Sequence, residues 1–246
     1  MKNFQLIANT LAILWITIIV GWWLRRYIII PYFERKRLYA AIPLQVKHCF
    51  EFINRLYQNV DAVALSKQIR QHQGLNDDAF VYGEIEVLSF ANMLEIVKPI
   101  PGEIFYDLGC GSGKAVFTAA MLYEFSKCYG IELLQPMHQL CCQQLTQFSQ
   151  LLTQANLDVN PAQHIEFIHQ NILQVDFRDG DIIFINATAF FGELWDAIVQ
   201  RLYQLKSGSR VILTSRKLPA TDFTLLSDEK QLMSWGMSSV FIYQRR

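Results

Sequence analysis

Asp107-Leu108-Gly109-Cys110-Gly111-Ser112-Gly113-Lys114 is the stretch whose residue types and spacing can do chemistry. Glycines at alternate positions let a backbone turn tightly and approach a ligand with no Cβ atoms in the way. Glu132 follows 25 residues after Asp107, and a carboxylate placed there can take both hydroxyls of a ribose. The pattern points to a nucleoside ligand. A dinucleotide fingerprint wants G-x-G-x-x-G, whereas the spacing here is G-x-G-x-G with an acidic residue two places before the first glycine. A phosphate-binding G-x-x-x-x-G-K-[ST] loop also fails, because Leu108 holds its first glycine position and Ala115 follows Lys114. Metal and acyl-transfer chemistry find no support: His48, His72, His138, His164 and His169 form no H-E-x-x-H, and there is no G-x-S-x-G. Cys49, Cys110, Cys128, Cys141 and Cys142 are odd in number and include no C-x-x-C pair. Reduced thiols in a cytosolic compartment are expected rather than a disulfide framework.

The elements around this motif alternate. Ile104–Asp107 reads as a strand, 114–125 as a helix, and Cys128–Glu132 as a second strand. A long helix is expected over 136–155, strands over 165–168, 181–186 and 210–215, and a helix over 191–205. Strands alternating with helices imply a parallel sheet covered on both faces. The last stretch differs, with strands over 230–235 and 239–243 and no helix between them, only a short link that starts at Gly236, which suggests an antiparallel edge. Strand, D-x-G-x-G-x-G, helix, then a strand ending in Glu is the arrangement expected to bind S-adenosylmethionine.

Upstream, no residue is charged between Lys2 and Arg25. Asn3–Leu24 is 22 residues, and a helix of that length spans the roughly 30 Å hydrocarbon layer of a bilayer. Trp22-Trp23 and then Arg25-Arg26 end the run, an aromatic girdle followed by headgroup-level cations. Residues 3–24 are therefore expected to be a single-pass membrane anchor, with Tyr27–Phe33, broken by Pro31, lying along the interface. Residues 1–78 carry ten Lys/Arg against five Asp/Glu, and 79–246 twelve against seventeen. The basic surplus beside the apolar run favours a cytoplasmic location for the rest of the chain, and the acidic surplus further on argues against a nucleic-acid partner. Residues 25–78 read as a basic juxtamembrane helical region, with Asp61 capping its second helix, and 79–246 as the catalytic domain.

Three segments in order, Val81-Tyr82-Gly83-Glu84, the glycine loop, and Ile183-Phe184-Ile185-Asn186-Ala187-Thr188-Ala189-Phe190, resemble the non-SET histone-lysine methyltransferases, the disruptor-of-telomeric-silencing family. The similarity runs from about Phe80 to Arg216. It implies an α/β, Rossmann-like class I methyltransferase fold with a mostly parallel seven-stranded sheet and an antiparallel C-terminal edge. It also implies a protein-lysine substrate and S-adenosylmethionine as cofactor. The cofactor residues it implies are Tyr82, Gly83, Glu84, Asp107, Gly109, Gly111, Gly113, Lys114 and Glu132, with Asn171 and Ile172 at the adenine and Asn186 at the methionine end. Asn186 and Phe190, with Trp235 and Tyr243, would line a lysine channel. The family's second asparagine is Ala187 here, and its adenine-binding acid is Asn171. A methyltransferase for a small or lipidic substrate, and a silent nucleoside-binding adaptor, are the alternatives.

Overall fold

The computed structural model describes residues 2–33, 36, 43–73, 83–155, 161–219 and 222–246, with the backbone alone for 2–12 and 72–73. Tyr82 and the expected domain start at residue 79 lie outside them. The chain divides into two compact units, Met1–Ala41 and Ile42–Arg246.

In the first unit α1 (Lys2–Leu24) runs into a π-helical turn, Arg25–Ile29, and helix continues to residue 33. The stretch Ile13–Phe33 is 21 residues long and apolar enough to cross a membrane. The break expected at Pro31 does not occur. Proline lacks an N–H and its ring crowds the carbonyl four residues back; a π turn widens the helix just there, with the Ile30 N–H donating to the Arg25 carbonyl. Arg26 lies over the rings of Trp22 and Tyr27, 5.4 and 5.9 Å from their centroids.

The second unit is built on a seven-stranded sheet in the order β3-β2-β1-β4-β5-β7-β6. Its strands are β1 (Ile104–Leu108), β2 (Lys127–Glu132), β3 (Ile165–His169), β4 (Ile182–Ile185), β5 (Arg210–Thr214), β6 (Phe223–Met233) and β7 (Gly236–Arg245). The first five are parallel, and β7 inserts antiparallel between β5 and β6. The edge hairpin is longer than expected: β6 begins at Phe223 and stops at Met233, leaving Ser234 and Trp235 in the turn.

Side-chain alternation along each strand feeds two cores. Phe105, Cys128, Ile182, Phe184, Ile212, Val240 and Ile242 face one side, packed with α4 (Val87–Val97), α5 (Lys114–Leu122) and α6 (Gln135–Gln154). Tyr106, Leu108, Ile183, Ile185, Val211, Leu213, Phe241 and Tyr243 face the other, against α7 (Gly192–Leu202). Of the region expected to be a juxtamembrane linker, 25–78, the part from Ile42 onward belongs to this unit. Helix α2 (Leu44–Leu56) sends Cys49, Ile53 and Leu56, all at most 1% exposed, into the first core. Helix α3 (Ala62–Gln73) starts where Asp61 Oδ1 accepts the Ala64 N–H at 2.8 Å, and packs Ala62 and Ile69 on Met137 of α6.

Candidate functional site

The glycine loop joins β1 to α5 at the carboxyl edge of the sheet. Gly109, Gly111 and Gly113 take φ of 85°, 56° and 81°, values that L side chains rarely adopt. The N–H groups of Gly109 and Cys110 both donate to the Ile131 carbonyl at 2.9 Å, hanging the loop from β2. Glu132 then meets the loop from the end of that strand. Its Oε2 accepts the Gly111 N–H at 2.9 Å and its Oε1 the Leu134 N–H at 2.8 Å. Burial pushes its carboxyl up, and those backbone donors partly offset the rise. A carboxylate has about four lone-pair sites, so capacity for a ligand donor remains beside the Leu134, Gly111 and Leu133 N–H groups.

Asp107 is 2% exposed and its Oδ1 is buried with no hydrogen-bond partner. Burial first, then the Glu132 charge, holds its carboxyl well above the usual carboxylate range. A buried, unpaired carboxylate oxygen is costly, and a ligand cation set against it removes the cost. Both acids line a cavity of about 210 Å³, many times the 10–15 Å³ or so that one water occupies. Leu133, Leu134, Met137, Ile172 and Phe184 give it apolar walls. An orphaned carboxylate, a second carboxylate with spare lone pairs and an apolar slot fit the amino group, ribose and adenine of S-adenosylmethionine.

Gly83 and Glu84 cover the cavity. The Glu84 Oε1 accepts the Ser112 hydroxyl at 2.9 Å, and its other oxygen pairs with Lys114. Glu84 is also clipped to the β6–β7 turn: its N–H donates to Ser234 Oγ at 3.0 Å, and the Ser234 N–H to its carbonyl at 3.1 Å. A Cβ built on Gly83 would collide with the Trp235 ring, so only glycine lets that ring lie flat on the loop.

Asn186 closes the arrangement below. Its Nδ2 donates to the Gly83 carbonyl at 2.9 Å, and its Oδ1 accepts the hydroxyls of Thr188 and Thr214 at 2.8 and 2.6 Å. The side chain fastens the covering loop to the ends of β4 and β5, leaving one amide N–H for a ligand. Phe190 rests against the glycine loop, its Cζ 3.1 Å from where a Gly109 Cβ would stand. The hydroxyls continue outward from Thr188 to Ser215 (3.1 Å) and Ser238 (3.0 Å), with Ser215 at φ 65°.

Of the residues anticipated, Gly83, Glu84, Asp107, Gly109, Gly111, Lys114, Glu132, Asn171, Ile172, Asn186 and Phe190 line one cavity. Three expectations need correcting. Gly113 caps α5 and faces Phe167 rather than the cavity. Trp235 belongs to the hairpin turn and covers Gly83 from outside. Tyr243 is no channel wall: it pairs with Val211 near the start of β5, is 2% exposed in the second core, and its hydroxyl accepts the Leu218 N–H at 3.3 Å. Asn171 lines the cavity, and its Oδ1 already accepts the Leu173 N–H at 2.9 Å. Sequence reasoning missed Ser66, Met137 and Leu194. They sit on helices whose apolar spacing looks the same whether a face meets core or cavity.

A family model described as "Histone methylation protein DOT1" matches residues 61–239. The "Histone-lysine N-methyltransferase, H3 lysine-79 specific" of Candida albicans is 28% identical over 200 residues, 76% of this chain and 14% of that protein. The Eremothecium gossypii protein of the same name is 26% identical over 61% of this chain and 26% of its own length. The chain thus spans about a quarter or less of these two relatives. A "Protein-lysine N-methyltransferase" of Saccharolobus islandicus is 26% identical over 49% of this chain and 66% of its own.

Proposed function

The chain belongs to the DOT1 family of histone methylation proteins, and from that premise we propose that it is an S-adenosylmethionine-dependent methyltransferase acting on a lysine amine of a protein close to a membrane. The observation that carries the cofactor half is Asp107, which lines the cavity with Glu132 and keeps a buried Oδ1 without a hydrogen-bond partner. When bound, S-adenosylmethionine supplies a methyl group made electrophilic by its sulfonium. Asp107 would accept hydrogen bonds from the cofactor's ammonium, and Glu132 would hold the ribose hydroxyls. Asn171 Oδ1 keeps one lone pair for the adenine amine, against the apolar Leu133 and Ile172. Gly83, Glu84 and Lys114 would cover the ligand.

The protein's remaining task is to hold a neutral nucleophile in line, and such alignment is worth roughly 7–11 kcal/mol of barrier. A lysine has a reference pKa of about 10.4, so the acceptor must shed a proton before reacting. Phe190, Ala189 and Leu194 make the acceptor side of the cavity apolar, which disfavours the ammonium by desolvation. The remaining Asn186 amide N–H orients the acceptor or the methionine end.

The membrane half rests on the apolar helix Ile13–Phe33, none of whose apolar window is buried, and the basic residues that follow it, which favour a cytoplasmic catalytic unit. Incubating full-length protein and tritiated cofactor with membranes, soluble lysate or nucleosomes tests both halves. The expected result is a labelled protein band in the membrane arm that yields methyl-lysine on hydrolysis and vanishes in Gly111→Arg. Label in a lipid or small-molecule extract would exclude lysine, and label confined to nucleosomal histone would exclude a membrane-side substrate.

A further inference from the structure

A residue at the end of α2, outside the segment matched by the family model, touches the glycine loop. Tyr57 is 8% exposed. Its hydroxyl donates to the Ser112 carbonyl at 2.6 Å, and its ring packs edge-on against Phe117 of α5, 6.3 Å between centroids. The Lys114 ammonium lies over the same ring at 4.9 Å, within cation–π range. Ser112 and Lys114 are the two glycine-loop residues that hold the carboxylate of Glu84. One side chain therefore touches both partners of the covering loop. It braces one through its backbone and cradles the other's charge.

We propose that Tyr57 is a positioning residue of the cofactor site: it presets the Ser112 and Lys114 geometry that draws Glu84 over the cavity, which makes α2 part of the binding machinery. Burial pushes the phenol pKa well above its ordinary value, so the hydroxyl stays a donor at any physiological pH. Glycine-rich loops lose much backbone freedom on ordering. A donor at the Ser112 carbonyl meets that cost before ligand arrives, and the benefit belongs in affinity rather than in the chemical step. The inference rests on the methyltransferase reading for what the loop binds, but not for what holds the loop.

Amide hydrogen exchange on ligand-free, full-length protein in detergent, paired with cofactor calorimetry, separates the two. Tyr57→Phe keeps the ring over Phe117 and under Lys114 and removes only the hydroxyl. It is expected to speed exchange at residues 111–114 and 83–84 while leaving β4 and β5 at wild-type rates. Cofactor Kd and KM should rise about fivefold, what one neutral hydrogen bond is worth, with turnover at saturation little changed. Tyr57→Leu, which also removes the cation–π contact, should loosen the loop further. Wild-type exchange and wild-type Kd in Tyr57→Phe would overturn the proposal, as would uniform loosening of the sheet, which marks a purely structural role. If wild-type protein itself shows no affinity for the cofactor, the methyltransferase reading falls, and the exchange comparison still decides the role of Tyr57.

Discussion

Asp107 is held in a state that an empty site does not favour. Its carboxyl is raised by burial and by Glu132, so ionising it costs the ligand-free fold stability at neutral pH. For an acid raised on folding, that cost is present above the folded pKa and is relieved as pH falls toward the unfolded value. Asp107→Asn should therefore raise the melting temperature of ligand-free protein at neutral pH, with the gain shrinking on acidification; melts across pH check this. The same substitution should weaken S-adenosylmethionine binding on the order of tenfold to a hundredfold, the range for losing a charged hydrogen bond. Wild-type affinity should fall as pH drops through the raised Asp107 value, with proton uptake or release visible by calorimetry in two buffers, and the Asn variant should lack that slope. Asn186 makes a different prediction. Its Oδ1 is the acceptor for Thr214, which is fully buried, so Asn186→Ala strands that hydroxyl at a cost of about 1–3 kcal/mol. Adding Thr214→Val should recover part of the loss in denaturant midpoints.

At the scale of elements, the edge hairpin matters more than its position suggests. Its turn places Ser234 and Trp235 on the loop that carries Gly83 and Glu84, so a strand pair at the end of the sheet also seats the cover of the cavity. Gly83→Ala drives a methyl into the Trp235 ring and should weaken cofactor binding severalfold. Combining it with Trp235→Leu, which vacates the ring, should restore part of the affinity, and calorimetry on both variants checks the coupling. Recovery would tie the hairpin to the site; an unchanged deficit would mean that the glycine serves only its own backbone.

At the scale of the whole molecule, the compact unit that carries the sheet begins at Ile42, and we propose that the catalytic domain needs the helices ahead of residue 79. A fragment beginning at 79 strips α2 and α3, exposing the core surface that Cys49, Ile53 and Leu56 cover and removing Ser66 from the cavity. Burying each large aliphatic side chain contributes roughly 1.5–3 kcal/mol, a large share of a typical domain's 5–15 kcal/mol. A 43–246 fragment should melt cooperatively and bind S-adenosylmethionine, whereas 79–246 should aggregate or melt without a transition. Cofactor binding by a well-folded 79–246 fragment would show α2 and α3 to be dispensable.

Much was legible in the sequence because it is local physics. Glycines at alternate positions, a strand ending in a carboxylate, and apolar runs alternating with amphipathic helices are set by residues close in the chain, and they specify the parallel sheet, the bent loop and the place of Glu132. What tertiary structure alone decided depends on which surfaces meet. The spacing of α2 and α3 shows that each has an apolar face, but not that those faces cover the same core as α4 and α5, so Tyr57 and Ser66 carry no signal of their role. Alternation along β7 separates Val240 and Ile242 from Phe241 and Tyr243, but not the register against β5. That register sets Tyr243 beside Val211, in the core and away from the cavity. Asn186 shows the same limit: its type suggested a ligand contact, while the positions of Gly83 and Thr214, far apart in the chain, committed most of its hydrogen bonds to holding the site together.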